Sequence, residues 1–190
     1  MNTTPTTELE AINEMLGTIG ESPVTTVEDN GVVDAAIAKQ ILSSINRQVQ
    51  TKGWAFNTDY AIVLVPAFLN GNLVLPSNTL RVDTTEEDIN ENLVQRGSRL
   101  YDPHKHTYAF TRSYKVDIVS LLQFTDLPEA ARYYITIRAA RIFQERTIGS
   151  ATLTGFTEKD ELWAKTGMTE YDSETRDANI LDGWRHLTER

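Results

Sequence analysis

Helical periodicity dominates the first 56 residues of the chain. Two stretches place apolar residues about one helical turn apart, so each predicts a helix with a single apolar face. Gly20 and Pro23 end the first stretch, and Gly53 ends the second. The apolar positions are Leu9, Ile12, Leu16 and Ile19 in the first, and Ile37, Ile41, Ile45 and Val49 in the second. The pattern predicts a helical hairpin, with Trp54 and Phe56 turning inward at its end.

Strand-forming residues follow in the middle of the chain. The β-branched run from Tyr60 to Val65 ends at Pro66, and the Asn-Gly-Asn sequence at 70–72 is a turn signal. Further short strands are predicted at 73–75 and 80–84, around Val94, Leu100 and Tyr108, and at 115–122. Because the strands are closely linked, we expect them to pair antiparallel.

A third helix is predicted after Pro128, which suits a first helical turn, with Asp126 as its cap and Gly149 at its end. Its apolar face is assigned to Ala131, Ile135, Ala139, Ile142 and Arg146. Its arginines spread over too wide an arc for a phosphate-binding stripe, so we interpret them mainly as partners of acidic neighbours, which leaves open that a minority of them face a channel. These arginines are Arg132, Arg138, Arg141 and Arg146.

A last helix is predicted from about Thr157, where Leu162 and Trp163 can anchor it. The sequence leaves open whether Trp163 is a core residue or an interface residue. Beyond Tyr171 its face turns polar, so this segment is expected to be exposed or held by a neighbouring chain. Three apolar residues follow this polar segment, and no predicted core is left for them to pack against. We therefore predict that they form a partner interface. They are Ile180, Leu181 and Trp184.

Together these elements predict an α+β fold, in which a helical bundle built from both ends of the chain is interrupted by a central antiparallel β insertion. The predicted domains are a discontinuous helical domain, 1–58 with 123–190, and a β insertion domain at 59–122. A chain of 190 residues is long enough for one full domain or two small domains with a shared core.

Composition narrows the function classes. The 18 basic and 27 acidic residues give a net charge of −9, which argues against tight wrapping of nucleic acid. An acidic protein can still surround DNA, because like charge on a channel wall lets the duplex slide. No apolar run approaches the roughly 20 residues of a membrane span, and no secretory signal pattern is present. The absence of cysteine fits assembly in a reducing cytoplasm.

Catalytic, cofactor and metal sites are not predicted at any residue. His104 and His106 lack a third ligand, so a surface loop is the favoured interpretation over a metal site. The acidic run at 86–88 lacks the ligand spacing of a calcium loop. Acidic residues are numerous enough that a close carboxylate pair is expected, which keeps open the alternative of a polysaccharide or cell-wall hydrolase. A helical interaction module of another kind is a third possibility.

Four motifs resemble the tail tubular protein A family of short-tailed bacteriophages. The first is Glu-Leu-x-Ala-Ile-Asn-x-Met-Leu-x-x-Ile-Gly-Glu-Ser-Pro-Val at 8–24, and the second is Ala-x-x-Ile-Leu-x-x-Ile-Asn-Arg-Gln-Val-Gln-x-Lys-Gly-Trp-x-Phe-Asn at 38–57. The others are Leu-Pro-Glu-Ala-Ala-Arg-Tyr-Tyr-Ile-Thr-x-x-Ala-Ala-Arg-x-Phe-Gln at 127–144 and Asn-Ile-Leu-Asp-Gly at 179–183. The motifs cover roughly half of the chain and leave out 68–112.

This resemblance implies a structural virion protein rather than an enzyme. With it, the enzyme alternative is a virion-associated polysaccharide or cell-wall hydrolase. The expected assembly is a twelve-fold adaptor ring between the portal and the tail nozzle, with tail fibres around the junction. The helical domain is expected to build the ring and face the portal, while the β insertion faces the nozzle. DNA would pass through the channel without specific binding. The expected location is the virion tail, after assembly in the cytoplasm of the bacterial host.

Overall fold

The computed structural model describes residues 4–28, 32–85, 92–149 and 151–188, without the side chains of 151–157 and 177–188. In the described residues, four α-helices and five strands follow one another along the chain. The helices are α1 (Glu8–Thr18), α2 (Val33–Gln50), α3 (Glu129–Thr147) and α4 (Ala151–Thr188). The strands are β1 (Thr58–Leu64), β2 (Thr79–Thr84), β3 (Val94–Arg96), β4 (Arg99–Tyr101) and β5 (Tyr114–Ser120). The fold is α+β, as the sequence predicts, with helices at both ends and antiparallel strands between them.

The chain divides into two compact units. The helical unit comprises 1–49 and 123–190, and the β unit comprises 50–122. In the helical unit α1 packs on α3, and α3 packs on α4. A hydrogen bond of 3.1 Å from Arg138 Nη2 to Gln48 Oε1 joins α3 to α2. The large buried side chains of this unit include Ile12, Met15, Leu16, Leu42, Tyr134, Ile135 and Phe143.

Helix α1 begins at a capping box. The Thr7 hydroxyl accepts the Glu10 amide N–H, and the Glu10 carboxylate accepts the Thr7 amide N–H at 2.8 Å. At the other end, the Gln144 side chain on α3 donates to the Thr18 carbonyl oxygen at 3.1 Å. Asn13 makes two hydrogen bonds to the backbone of Val24, which hold the segment after α1 against the helix. Polar side chains therefore fix both ends of a helix whose middle is buried.

Three predicted details of helices α2 and α3 are wrong. Ile37 is 41% exposed, because the buried stripe of α2 runs through Ala38, Ile41, Leu42, Ile45 and Val49. Asp126 does not cap α3, because it lies in a separate 3-10 turn and extended residues separate it from the helix. Arg146 is exposed, because the buried face continues through Phe143 and Gln144 instead.

Helix α4 also differs from its prediction. It begins at Ala151, six residues before Thr157, and runs for 38 residues. The residues that pack inward are Ala164 and Met168, whereas Leu162 and Trp163 are 64% and 76% exposed. Leu162 and Trp163 therefore do not anchor the helix in the core, and for Trp163 the interpretation as a core residue is wrong. Small or unbranched residues fit the face that packs on α3, and the large residues lie outside.

The β unit contains a three-stranded antiparallel sheet in the order β1-β5-β2 and a two-stranded hairpin of β3 and β4. Two predicted strands, at 73–75 and around Tyr108, are reduced to isolated bridges at Asn72, Val74 and Ala109. Trp54 is buried as predicted, but Phe56 is only half-buried. The core of the unit consists of Leu64, Leu73, Leu75, Leu93, Leu100, Phe110, Tyr114, Val116 and Ile118.

Buried amides join the two ends of the β unit. The Gln50 side chain donates to the Leu122 carbonyl oxygen at 3.0 Å and accepts the Leu122 amide N–H at 2.9 Å. The Asn57 amide donates to the carbonyl oxygens of Gln50 and Ser120, and its own oxygen accepts the Trp54 amide N–H. Because each of these amides is satisfied by backbone groups, the network is stabilising although it is buried.

Candidate assembly surfaces

Helix α4 is held on α3 by an ion-pair network that leaves its outer face open. The Glu161 carboxylate accepts hydrogen bonds from Arg138 Nη1, at 3.1 Å, and from Arg141 Nε. These contacts confirm the prediction of acidic partners for Arg138 and Arg141. For Arg132 the prediction is wrong, because its guanidinium donates to the carbonyl oxygens of Leu127, Thr6 and Thr125.

Opposite this network, Leu162 and Trp163 form an exposed apolar pair, which we call the α4 ridge. Both residues are well over half exposed in a helix whose inner face is filled by Ala164 and Met168. Gly167 follows Trp163 by one helical turn, and a Cβ built on it meets nothing within 4 Å. The α4 ridge is therefore an apolar projection beside a position without a side chain.

A groove of about 520 Å³ lies elsewhere on the helical unit, between α1, the segment after it and α2. We call it the α2 groove. Four of its lining residues are apolar and five are polar or charged. The apolar ones are Ile12, Val27, Ala35 and Ala36, and the others are Thr26, Glu28, Lys39, Gln40 and Ser43. The Lys39 ammonium donates to the Val27 carbonyl oxygen at 3.3 Å, so the segment after α1 is tied to α2 along the groove.

The β unit has a different exposed feature, the turn at 67–70. Phe68 and Leu69 are 102% and 94% exposed, which is unusual for two consecutive large apolar residues. The turn is nevertheless well fixed. The Ala67 carbonyl oxygen accepts the amide N–H groups of Asn70 and Gly71, and the Ala67 amide donates to the Asn72 carbonyl oxygen. We call this feature the apolar turn.

Gly71 explains why the apolar turn closes so tightly. Its φ is +68°, and a Cβ there would lie 3.0 Å from the Phe110 carbonyl oxygen and 3.2 Å from the Phe110 nitrogen. The Phe110 amide donates to the Gly71 carbonyl oxygen at 2.8 Å. The turn is thus packed directly on the backbone of the core residue Phe110, while Phe68 and Leu69 project outward.

Strand β1 also exposes apolar residues. It lies at the edge of the sheet, and Tyr60 and Val63 are each more than half exposed. At Ala61, with φ of +54°, the register shifts and the amide N–H turns to the Asp117 carboxylate at 2.9 Å. A bulge of this kind interrupts an edge strand and limits unspecific pairing with other chains.

The polar residues around the two histidines, which the sequence analysis considered for metal binding, have structural roles. Asp102 accepts the backbone N–H groups of Lys105 and His104, and these hydrogen bonds hold the pKa of the Asp102 carboxyl below its usual value. His106 Nδ1 lies 3.3 Å from the Tyr101 hydroxyl. Within the described ranges, no group of three or more His, Asp or Glu residues is arranged to hold a metal. The acidic run at 86–88 lies outside the described residues.

The predicted interface at Ile180, Leu181 and Trp184 falls within the backbone range of α4, but these side chains lie outside the described residues. Sequence reasoning missed the apolar turn altogether. Its signal was two large apolar residues between Pro66 and the Asn-Gly turn, where a strand connection is usually polar.

Charge is distributed unevenly between the two units. The β unit contains seven basic and eight acidic residues, and the helical unit contains 11 basic and 19 acidic ones. Nearly all of the net charge of −9 therefore belongs to the helical unit. In the described part of the chain, no helix combines the length and apolarity that a membrane crossing requires.

Comparison with known proteins places this architecture among phage tail components. The sequence model of a protein family described as Tail tubular protein matches residues 9–178, which include parts of both units. Tail tubular protein A of Klebsiella phage KP34 is 27% identical over 165 residues, an alignment that covers 86% of this chain and 86% of that protein.

Proposed function

The chain belongs to the tail tubular protein family, a family of structural phage tail components, and on that premise we propose that it forms an adaptor ring between portal and nozzle. In this role, copies of the chain close into a twelve-fold ring in a short-tailed phage. The ring joins the head portal to the tubular nozzle, and tail fibres attach around the junction. It acts by assembly, without turnover of a substrate.

The observation that best supports this role is that each unit has its own exposed apolar surface. The helical unit has the α4 ridge, and the β unit has the apolar turn with Phe68 and Leu69. Large exposed apolar surfaces in folded proteins commonly mark interaction sites. A protein with one such surface on each unit can bind different neighbours at the same time, as an adaptor must.

Orientation in the tail is part of the proposal. The helical unit builds the ring and faces the portal, and the β unit faces the nozzle through the apolar turn. The apolar residues near the end of α4 contact the portal, with Trp184 as the aromatic anchor and Ile180 and Leu181 beside it. Aromatic side chains are the commonest anchors of protein interfaces, because they bury much area with few rotatable bonds.

Charge supports passage of DNA without binding. Eight of the nine net negative charges lie in the helical unit, which forms the ring in this proposal. A ring with such subunits repels the phosphate backbone, whereas a DNA-binding surface needs a basic footprint. The duplex would therefore slide through the channel during ejection.

The proposal is tested by combining the purified chain with the portal and nozzle proteins of the same phage. Electron microscopy should show a ring of twelve copies on the portal, and co-sedimentation should show nozzle bound to the ring. In the F68S/L69S variant the ring should still form on the portal, but nozzle binding should be lost.

Val94→Ser is the matched control, since Val94 is an exposed apolar residue elsewhere in the β unit. It should bind nozzle like the wild type. Absence of rings on the portal would refute the adaptor role, and full nozzle binding by F68S/L69S would refute the assignment of the apolar turn.

A further inference from the structure

We propose that Arg96 and Arg99, at the end of the β3–β4 hairpin, form a clamp for the carboxylate groups of an acidic segment of a partner protein. We call this pair the arginine clamp. The inference goes beyond the adaptor role and does not depend on it, because it concerns a charged feature of the β unit that the exposed apolar surfaces do not include.

The hairpin holds both arginines on one face. Strand β3 ends at Arg96 and strand β4 begins at Arg99, so only Gly97 and Ser98 separate them. The two arginines are direct partners in the antiparallel register. Residues directly opposite each other in such a pair point to the same face, with Cβ atoms about 4.5–5.5 Å apart. Both guanidinium groups can therefore reach the same small acidic group.

Tyrosine rings support both guanidinium groups. The guanidinium carbon of Arg96 lies 3.7 Å from the centre of the Tyr101 ring, and that of Arg99 lies 4.5 Å from the centre of the Tyr108 ring. The two rings contact each other, with their centres 4.8 Å apart. A ring attracts the cation but offers its N–H groups no oxygen acceptor, so these donors remain available to a ligand.

The loop after β4 fixes the tyrosine pair in turn. Tyr101 is buried, and its hydroxyl lies 3.3 Å from His106 Nδ1. Two backbone hydrogen bonds between Asp102 and Thr107 close the loop that carries His106. The arginines are thus positioned before a ligand arrives, which reduces the conformational entropy lost on binding.

The charges of the clamp are not balanced within the described part of the chain. There, no carboxylate forms an ion pair with Arg96 or Arg99, whereas the nearby Lys105 pairs with Asp102 at 3.3 Å. Arg99 Nη1 lies 3.2 Å from the Asn72 amide oxygen, in the amide orientation that satisfies its neighbours, but this oxygen carries no compensating charge. Like charges directly opposite each other in a strand pair are destabilising. A bound carboxylate would relieve this repulsion and accept hydrogen bonds from both guanidinium groups.

Carboxylates of a protein fit the clamp better than the phosphates of DNA. Two arginines match one or two acidic groups, whereas DNA binding needs a basic footprint across many phosphates. Without the clamp, the β unit contains five basic and eight acidic residues, so a long polyanion would meet net negative charge in the rest of the unit. The two tyrosine rings contact each other and the guanidinium groups, so neither ring is a free stacking platform for a base.

Fluorescence anisotropy of a labelled oligoglutamate peptide, titrated with the full-length chain at low salt, tests the clamp. The wild type should bind the peptide, and R96Q/R99Q should bind it roughly tenfold or more weakly, because hydrogen bonds to charged groups are lost. The matched control is R81Q/R112Q, which removes two other exposed arginines of the β unit. Arg112 also lies over a tyrosine ring, that of Tyr114 at 4.2 Å. This control should lower the affinity by less than about threefold.

Further variants test whether the two side chains act as one clamp. R96K/R99K keeps both charges but removes the planar guanidinium groups, so binding should weaken by about fivefold or more. Each of the single variants R96Q and R99Q should lose most of the affinity that the double variant loses, because both arginines act on the same acidic group. Circular dichroism should show an unchanged fold in all variants, since the substituted side chains are exposed.

The inference is overturned if the wild type does not bind the peptide, which includes the case in which carboxylates of the chain itself already fill the clamp. It is also overturned if R96Q/R99Q and R81Q/R112Q lose affinity equally, or if R96K/R99K binds like the wild type, because binding would then be unspecific attraction between charges. A labelled DNA duplex is the second probe, and tighter binding of the duplex than of the peptide would overturn the assignment of a protein partner. None of these assays contains portal or nozzle, so their failure is distinguishable from failure of the adaptor role.

Discussion

Removal of the charge on Glu161 should loosen α4 from α3. In the Glu161→Gln variant the side chain keeps its shape and one acceptor oxygen, but Arg138 and Arg141 lose the carboxylate that they share. Arg141 keeps a second, more exposed partner, Glu145, at 3.4 Å. Arg138 and Arg141 both donate to this carboxylate in the native structure. Arg138 also donates to the Tyr134 hydroxyl and to Gln48, so it keeps some of its hydrogen bonds.

The magnitude follows from the burial of the three side chains. Glu161 is 14% exposed, and Arg138 and Arg141 are 27% and 20% exposed, so the network is neither on the surface nor fully buried. A surface pair is worth roughly 0–1 kcal/mol, and breaking a buried pair costs roughly 3–5 kcal/mol. We therefore expect Glu161→Gln to lower the free energy of unfolding by about 2 kcal/mol.

Thermal unfolding followed by the helical circular dichroism signal measures this effect. For a chain of this size, 1 kcal/mol corresponds to roughly 2–4 °C, so the Tm should fall by about 4–8 °C. Glu158→Gln is the matched control, because Glu158 is exposed on the same helix and should change the Tm little. Equal melting temperatures for the two variants would mean that packing of Ala164 and Met168 alone holds α4.

Two further predictions concern the apolar turn and the end of α4. Gly71→Ala should lower the free energy of unfolding by about 1–2 kcal/mol in chemical denaturation, because its φ is positive and its Cβ would meet the Phe110 backbone. Gly17→Ala, in α1 with open space around it, should instead stabilise by roughly 0.5–1 kcal/mol, and destabilisation by both would contradict this reasoning. Truncation after Asp177 should preserve the Tm but abolish co-sedimentation with portal rings, and a truncated chain that still binds portal would remove Ile180, Leu181 and Trp184 from the interface.

Sequence periodicity predicted the elements whose burial depends on large apolar residues. Ile41, Ile45 and Val49 of α2 are buried as their spacing indicates, and so are Ala131 and Ile135 of α3. The reason is that a helix with one apolar stripe has only one favourable way to face a core.

Helix α4 shows where this reasoning fails. Its buried residues, Ala164 and Met168, give a weak stripe, while Leu162 and Trp163 give a stronger signal on the wrong face. The helix is also joined to α3 by the pairing of Glu161 with arginines about 20 residues away in sequence. A long-range polar contact of this kind leaves no periodic pattern in the sequence, so the prediction of the anchors could not succeed.

The exposure of the two apolar residues in the apolar turn could not be predicted for a related reason. Exposure of Phe68 and Leu69 depends on Gly71 packing against Phe110, some 40 residues further along the chain. From the sequence alone, two apolar residues after a strand and a proline indicate core residues as readily as a surface feature. Only the folded turn shows that they project outward.

The paired hydrogen bonds between Gln50 and Leu122 have a consequence for how such a protein can change during evolution. They bring the first and last residues of the β unit together, so recombination can exchange the segment between them while the flanking helices keep their own sequence. Termini that lie close together are the condition under which insertion of one domain into another is tolerated. Exchange of this segment would give related phages new tail attachments while the helical unit is retained.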